Sequence, residues 1–336
     1  MQQEKLIRRI EKMAKKKHFG LINGREAIVL GIIAVMVVLF SILSPNFRTY
    51  PTFVSVWDCS YYITLMALGV AFPLITGGVD LSIGTGLVCY ALIGGYMIVH
   101  KGVPVVVGIL ICVAVGCLIG LFNGALVALL DLPPFLATLC TCMITRGLGP
   151  ALCGGFGVSW PSAISEQGAF RKIFKFTNAE GTVIPVGIIL IVVLVLVMSF
   201  VLEHTKVGRY TIAIGSNKEA TRLSGVNVKF YHIFAYVISG FFAGLAGVAY
   251  AGTYATIYPG AGAGFEMDAI GGAIVGGVSA SGGSGTILGT FFGVMVICLM
   301  KVGLPFIGLQ ANWQQICTGL VLIAAVLIDI IKVKKK

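Results

Sequence analysis

The chain alternates long apolar runs with short polar segments, and this pattern predicts about ten transmembrane helices. Six apolar runs precede the polar segment 203–231 and four follow it. Most of them have about 17 to 26 residues, which suits the ~20 residues that a helix needs to cross a bilayer. The predicted fold class is therefore all-α, a polytopic integral membrane protein. The runs are 27–43, 61–79, 81–99, 103–130, 134–152, 183–202, 232–257, 268 to about 280, 286–302 and 312–331.

Two glycine-rich segments break the helical pattern. Residues 61–99 suffice for two crossings but leave no ordinary loop, so the turn must fall within Gly77–Gly84 (GGVDLSIG). The second break, Gly276–Thr286 (GGVSASGGSGT), follows an unusually short run. Non-helical backbone cannot face lipid, so each break must be buried in protein or line a wet cavity. The glycines expected to form the breaks are Gly77, Gly78, Gly84, Gly276, Gly277, Gly282, Gly283 and Gly285.

Both breaks begin with Gly-Gly-Val, at an offset of 199 residues, and both follow a span that runs inward. The tripeptide suggests a parallel internal duplication. Paired broken segments of this kind point to a transport pathway.

The polar segment 203–231 is predicted to contain a two-turn helix from about residue 217 to 224. Ser216 and Glu219 fit a capping box at its start, and Gly225 offers a left-handed residue at its end. So short a helix is marginal alone and must dock on something. Either it docks on a cytoplasmic partner and conveys force, or the segment is a basic loop that only sets topology. The residues of the docking interpretation are Ser216, Asn217, Lys218, Glu219, Ala220, Arg222, Leu223, Ser224 and Gly225.

Composition excludes a soluble protein, because 57% of the 336 residues are hydrophobic and the mean hydropathy is +0.99. The net charge of +11 is concentrated at three places: of 24 Lys and Arg residues, eight lie in 1–26, five in 203–231 and four in 332–336. This distribution follows the positive-inside rule and excludes nucleic-acid binding. It predicts an amphipathic basic helix at 1–26, one transmembrane domain at 27–331 and a basic tail at 332–336. It also predicts that both termini and the 203–231 loop are cytoplasmic and that 153–182 is extracytoplasmic.

Four polar residues within or beside the spans are candidates for the pathway or its gate: Asp80, Ser82, Asn123 and Arg146. Asp80 either is a helix N-cap that accepts the Ser82 or Ile83 amide, or acts as a gate or subunit contact. Asn123 either holds helices together or lines the path. Arg146, about 20 Å along the fifth span, either snorkels to the outer headgroups or faces polar solute in an outer vestibule.

Glu266 and Asp268 precede the eighth span and complete the candidate set. Carboxylates favour a helix N-terminus, and capping is the preferred role for both.

The sequence contains no motif for chemistry of its own. GxxxxGK[ST], HExxH and GxSxG are absent, so ATP and its Mg²⁺ would have to bind a partner chain, and no cofactor is expected here. The nine cysteines lie mostly in apolar runs and predict neither a metal site nor a disulfide framework.

Three motifs together resemble the permeases of bacterial ABC-type sugar importers, the ribose/galactoside class. They are Gly77–Gly84; Gly208-Arg209-Tyr210 leading into 215–226 (GSNKEATRLSGV); and Glu266-Met267-Asp268-Ala269-Ile270 with the glycine run 276–285. The resemblance covers about residues 50–331 and omits the basic N-terminal arm.

The resemblance implies a subunit in the bacterial cytoplasmic (inner) membrane that pairs with a second permease, either an identical copy or a paralogue. It also implies an extracytoplasmic solute-binding protein and an ATPase with two nucleotide-binding halves, with 215–226 as the coupling helix. The solute would be a monosaccharide or related small polar molecule, carried by alternating access. The motifs do not choose among sugars.

Two other classes of transporter stay open from the residues alone. An ion-coupled secondary transporter would need titratable groups deep in the spans, which hold few besides Asp80 and Arg146. A passive channel for small polar solutes would fit the glycine content but would leave the docking helix without a role.

Overall fold

The computed structural model describes residues 24–334, except for the side chains of Arg25, Ala311 and 332–334. Within this range nine helices are long and apolar enough to cross a membrane. The remaining predicted span, from 268 to about 280, is the helix Phe265–Val275, which has only 11 residues. The all-α, multi-pass membrane fold is thus confirmed. The helices are α1 Gly24–Leu43, α2 Tyr50–Ile75, α3 Ile83–Lys101, α4 Val105–Ala128, α5 Pro134–Leu152, α6 Gly187–His204, α7 Lys206–Ser216, α8 Lys218–Leu223, α9 Val228–Tyr254, α10 Phe265–Val275, α11 Ile287–Phe306 and α12 Ala311–Lys334.

Helix α2 begins 11 residues earlier than predicted. Its first turn starts at Tyr50 with Pro51 in the initial position, where a missing amide proton costs nothing. Residues 50–60 mix aromatic and polar side chains, so they did not register as part of an apolar run. The basic helix predicted for 1–26 falls almost wholly outside the described residues, although α1 already begins at Gly24.

The centre of the bundle is α2, which is buried along its apolar length and packs against α9, α11 and α10. Helix α9 packs most extensively on α4 through small residues. A Cβ at Gly116 would lie 2.3 Å from the Gly240 carbonyl oxygen, so only glycine permits this approach. Close packing of small residues is how helices associate where water supplies no hydrophobic drive.

Short strands and a 3₁₀ helix close one end of the bundle, which we call the cap end. The strands are β1 Val158–Ser159, β2 Phe176–Thr177, β3 Val183–Ile184 and β4 Thr256–Ile257, pairing antiparallel as β1–β4 and β2–β3, with the 3₁₀ helix at Glu166–Ile173. Trp160 donates to the Ala91 carbonyl at 3.0 Å, and Lys175 pairs with Asp58 at 2.6 Å. The predicted segment 153–182 is therefore folded onto the helices.

Both predicted breaks are present, at residues 76–82 and 276–286. Helix α2 ends with Gly77 at φ +84°, where the Gly77 and Gly78 amides donate to Leu74 and Pro73. Helix α10 ends in the same way, with Gly277 at φ +102° and its own two amide bonds, from Gly277 and Val278, to Ile274 and Ala273. This is a Schellman motif at each site. Gly77 and Gly277 hold the same position in this motif and lie 200 residues apart. The offset of 199 residues taken from the two Gly-Gly-Val tripeptides was therefore wrong by one residue.

Candidate functional site

The predicted docking helix exists as α8, but its start lies one residue later than predicted. Asn217 is the N-cap, and its Oδ1 accepts from the Ala220 amide at 2.9 Å. Ser216 is the last residue of α7, and its hydroxyl donates to the Ile212 carbonyl. The Ser216–Glu219 capping box is therefore wrong. Gly225 does take the left-handed conformation, at φ +80°.

The side chains of α8 face away from the bundle. Leu223 is 79% exposed, and Thr221 alone of the six residues is buried. Instead of reaching back to the cap, Glu219 pairs with Arg222 at 2.9 Å in a highly exposed bridge of small energetic value. Lys218, Ala220, Ser224 and Gly225 are exposed as well. The surface of α8 thus presents one large apolar side chain among small and polar ones, and another protein can cover it.

Immediately before α8, three segments meet in what we call the glycine junction: Gly215, the end of α2 at Ile75, and Gly282–Gly283 of the second break. The Gly283 amide donates to the Ile75 carbonyl at 2.8 Å. A Cβ at Gly215 would lie 1.8 Å from that same carbonyl oxygen and 2.5 Å from the Gly283 nitrogen. A Cβ at Gly282, whose φ is +84°, would lie 2.8 Å from the Gly77 nitrogen. Both broken segments thus touch each other and the base of α8.

The second break is also tied to the two terminal helices. Asp329 of α12 accepts from the Ser279 hydroxyl at 2.8 Å and from the Ala280 amide at 3.1 Å. Glu26 of α1 accepts from the hydroxyl of Thr286, which caps α11. The segment also directly follows α10, so its displacement would act on four helices: α1, α10, α11 and α12.

The first break is held by a buried polar network. Asp80 accepts from the Ser82 amide and hydroxyl at 3.0 and 2.6 Å, and from Ser239 of α9 at 2.7 Å. Asn123 of α4 donates to the Ser82 hydroxyl at 2.9 Å. Asp80 does accept the Ser82 amide, as predicted, but the N-cap position of α3 belongs to Ser82. Three predicted residues, Asp80, Ser82 and Asn123, thus lie together and anchor the break to α4 and α9.

Glu266 and Arg146 are not part of that network. Glu266 lies in the first turn of α10 against α3, where a Cβ at Gly84 would meet its Oε2 at 2.1 Å. Its Oε1 accepts weakly from the Gly264 amide at 3.3 Å, while Oε2 has no hydrogen-bond partner among the described residues. Arg146 is exposed on α5.

The capping role favoured for Asp268 is wrong. Asp268 lies inside the first turn of α10, buried, and forms an ion pair with Lys301 of α11, whose ammonium lies 5.0 Å from the Phe265 ring centroid. Neither this pair nor Lys175–Asp58 was identified from the sequence. The signal was present, because Lys301 and Asp58 are charges within otherwise apolar helices. The spans therefore hold more titratable groups than the sequence argument counted.

Across residues 24–334, no group of three or more His, Cys, Asp or Glu side chains is arranged to hold a metal ion. The candidate site offers contacts, hinges and polar groups rather than reactive chemistry.

Comparison with known proteins gives close matches over most of the chain. A family model described as "Branched-chain amino acid transport system / permease component" matches residues 53–326. The ribose import permease protein RbsC of Escherichia coli (strain K12) is 34% identical, covering 88% of this chain and 90% of that protein. The galactose/methyl galactoside import permease protein MglC of Haemophilus influenzae is 33% identical, covering 96% and 99%. The fructose import permease protein FrcC of Rhizobium meliloti is 31% identical, covering 94% and 88%. No solved structure matches the chain.

Proposed function

Since the chain belongs to the permease-component family described for branched-chain amino acid transport systems, we propose that it is the membrane-spanning subunit of an ATP-driven, binding-protein-dependent sugar importer. The resemblance to sugar-importer permeases is confirmed by relatives named for ribose, galactose and fructose import. The chain itself is a transport subunit and not an enzyme. ATP and Mg²⁺ belong to a partner ATPase with two nucleotide-binding halves.

The observation that supports this proposal most strongly is the connection between α8 and the two breaks. Helix α8 is exposed and suited to a partner protein, and the glycine junction at its base joins the end of α2 to the second break within a few ångströms. A partner that moves α8 therefore moves both broken segments together. Such rigid-body switching drives alternating access without chemistry in the moving chain. A passive channel gives this connection no purpose.

The cap end suits the extracytoplasmic binding protein. Phe156, Ile164 and Tyr258 expose 77%, 99% and 64% of their surface there. Exposed aromatic and aliphatic side chains of this kind mark interaction sites. With α8 in the cytoplasm, the cap lies outside, in accordance with a multi-pass protein of the bacterial cytoplasmic membrane whose two termini are inside.

A monosaccharide is the proposed solute because the relatives compared above are all named for sugar import. The second permease subunit of the assembly is either an identical copy or a paralogue.

Reconstitution into proteoliposomes tests the proposal. Uptake of labelled ribose, galactose or fructose should require the ATPase, ATP and the binding protein, and should persist when an ionophore collapses ion gradients. Uptake lost to the ionophore while ATP is intact would instead indicate an ion-coupled transporter, for which the Lys301–Asp268 pair supplies titratable groups. Uptake by the chain alone, without energy, would indicate a channel.

A further inference from the structure

A groove runs between α1 and α12 on the outer surface of the bundle, with the end of α10 between them. It encloses about 250 Å³, and among the described residues that line it Asp329 alone is polar. Ile28 and Ile32 of α1 and Ile328 of α12 expose 64%, 42% and 53% of their surface there. An apolar cavity of about 150 Å³ already stays dry and takes up a hydrocarbon molecule. The groove therefore suits a hydrocarbon ligand and not a sugar.

The groove opens towards lipid at the end of the bundle that holds α8. Helices α1 and α12 have mean hydropathies of 2.8 and 2.0 and are mostly exposed. Gly277 of the second break lines the groove, and the same break reaches the glycine junction beside α8. The part of α12 that lines the groove, residues 321–329, is about 12 Å long. This length is close to the ~15 Å that one leaflet contributes to a ~30 Å hydrocarbon core.

The two helices that form the walls of the groove carry positive charge at this end. Residues 1–26, which lead into α1, hold eight Lys and Arg against three Glu. Residues 332–336, where α12 ends, hold four Lys and no acidic residue. Arg25 lies in the first turn of α1, and Lys332 and Lys334 lie in the last turn of α12. Clusters of about four to eight basic residues beside a transmembrane helix attract anionic lipid headgroups.

The groove also touches the second break directly. Gly277, whose φ is +102°, ends α10 and lines the groove. Asp329 lines it as well, and its carboxylate accepts from the Ser279 hydroxyl at 2.8 Å and from the Ala280 amide at 3.1 Å. The charge of Asp329 is thus engaged by the break itself. A molecule in the groove contacts both the glycine at which α10 ends and the carboxylate that holds the next residues.

We propose that the groove binds an acyl chain of one anionic phospholipid, whose phosphate lies at the basic ends of α1 and α12, and that this lipid braces the second break. The acyl chain matches the apolar lining, and the negative headgroup matches the basic residues. A zwitterionic phospholipid satisfies the lining alone, because it carries no net charge. The location in the cytoplasmic leaflet rests on the proposed function, since it follows from a cytoplasmic α8. Binding of the lipid requires neither sugar nor ATP.

Lipid binding to the full-length chain in its purified complex tests the site. Native mass spectrometry measures titrations with phosphatidylglycerol and with phosphatidylcholine of the same acyl chains. Phosphatidylglycerol should bind at least about ten-fold more tightly. Ala324→Phe places a ring in the groove and should weaken that binding by about ten-fold or more. Ala114→Phe is the matched control, because Ala114 is exposed on α4, whose mean hydropathy is 3.0, and lies outside the groove.

A charge variant tests the headgroup separately. Lys332→Gln with Lys334→Gln should weaken phosphatidylglycerol binding by about ten-fold or more, since each cation near the surface contributes roughly five-fold. Binding of phosphatidylcholine should not change. The matched control is Lys101→Gln with Lys172→Gln, which removes two exposed cations at the cap end. Equal effects of the two double variants would show that net charge alone acts, and would overturn a headgroup site at the groove.

Three further outcomes decide the inference. Equal binding of the two lipids overturns it, and so does phosphatidylglycerol binding that Ala324→Phe leaves unchanged. Loss of the second permease subunit from the Ala324→Phe complex also overturns it, because that subunit would then occupy the groove. If Ala324→Phe fails to insert, Ala324→Leu takes its place.

The bracing role is tested by transport. ATP-driven sugar uptake should be several-fold faster in vesicles of phosphatidylglycerol and phosphatidylcholine in equal parts than in phosphatidylcholine alone, and Ala324→Phe should remove the difference. Equal uptake by the wild type in both vesicles overturns the bracing role. If the wild-type complex takes up no sugar in either, the proposed function fails instead, and the lipid titrations still report whether the groove is occupied.

Discussion

Replacing Gly215 by alanine should uncouple ATP hydrolysis from transport. The new Cβ would lie 1.8 Å from the Ile75 carbonyl oxygen and 2.5 Å from the Gly283 nitrogen, both backbone atoms that cannot rotate away. Overpacking of this kind costs about 1–3 kcal/mol, and loss of the Gly283–Ile75 hydrogen bond adds about 0.5–1.5 kcal/mol. Even 2 kcal/mol corresponds to roughly a 30-fold change in an equilibrium or a rate.

The strain falls on the glycine junction and leaves the exposed surface of α8 unchanged, so the ATPase should still bind. We expect ATP-driven uptake in proteoliposomes to fall by about ten-fold or more, while the complex assembles and hydrolyses ATP at its basal rate. Gly319→Ala is the control, because that glycine lies on the exposed face of α12 with no atom within 4 Å of a new Cβ. Uptake by Gly215→Ala at the wild-type rate, in a complex of normal composition, would refute transmission through the junction.

Three further predictions concern other contacts of the structure. Leu223→Asp, alone or with Glu219→Ala, should abolish uptake and stimulated ATP hydrolysis with normal membrane insertion, because it places a charge at the most exposed apolar residue of α8; uptake that persists would exclude α8 as the docking helix. Asn217→Ala should destabilise α8 by ~1 kcal/mol and speed its amide exchange, whereas Ser216→Ala should do so much less; the reverse order would restore the original capping box. Lys301→Met should lower the free energy of unfolding in detergent by ~3–5 kcal/mol, because it leaves the buried Asp268 carboxylate without its cationic partner. The double variant Lys301→Met with Asp268→Leu should recover most of that loss. Equal losses in the single and the double variant would show that the unpaired charge is not the cause.

Features that depend on local chemistry were predicted well from the sequence. The breaks at 76–82 and 276–286 follow from glycines that end α2 and α10 in the left-handed conformation, a choice made by the residues themselves. The spans from α3 to α6 were placed within a few residues, because length and apolarity decide them.

Features that depend on distant partners were not predictable in this way. Ser216 and Asn217 are both good N-caps, and Glu219 completes a capping box with the former. The structure selects Asn217 because α7 continues through Ser216, where Gly215 packs against Ile75 and Gly283. No rule confined to neighbouring residues contains that contact.

Asp268 illustrates the same limit. By local rules a carboxylate in a first helical turn favours capping. Here the Asp268 carboxylate instead pairs with the ammonium of Lys301, which lies 33 residues later in the chain. The proximity of Glu266 to Gly84 likewise arises only when α3 and α10 meet.

The most direct test of the account is whether α8 touches the ATPase. Cys140, the exposed cysteine among nine that are otherwise buried or half-buried, is first replaced by alanine. Leu223→Cys carrying a photo-crosslinker should then form an adduct with the ATPase in the working complex, with a yield that changes between ATP-bound and nucleotide-free states. Ile164→Cys at the cap end should form none. If the complex transports sugar with ATP at the normal rate and Leu223→Cys captures no ATPase in either state, α8 is not the coupling helix.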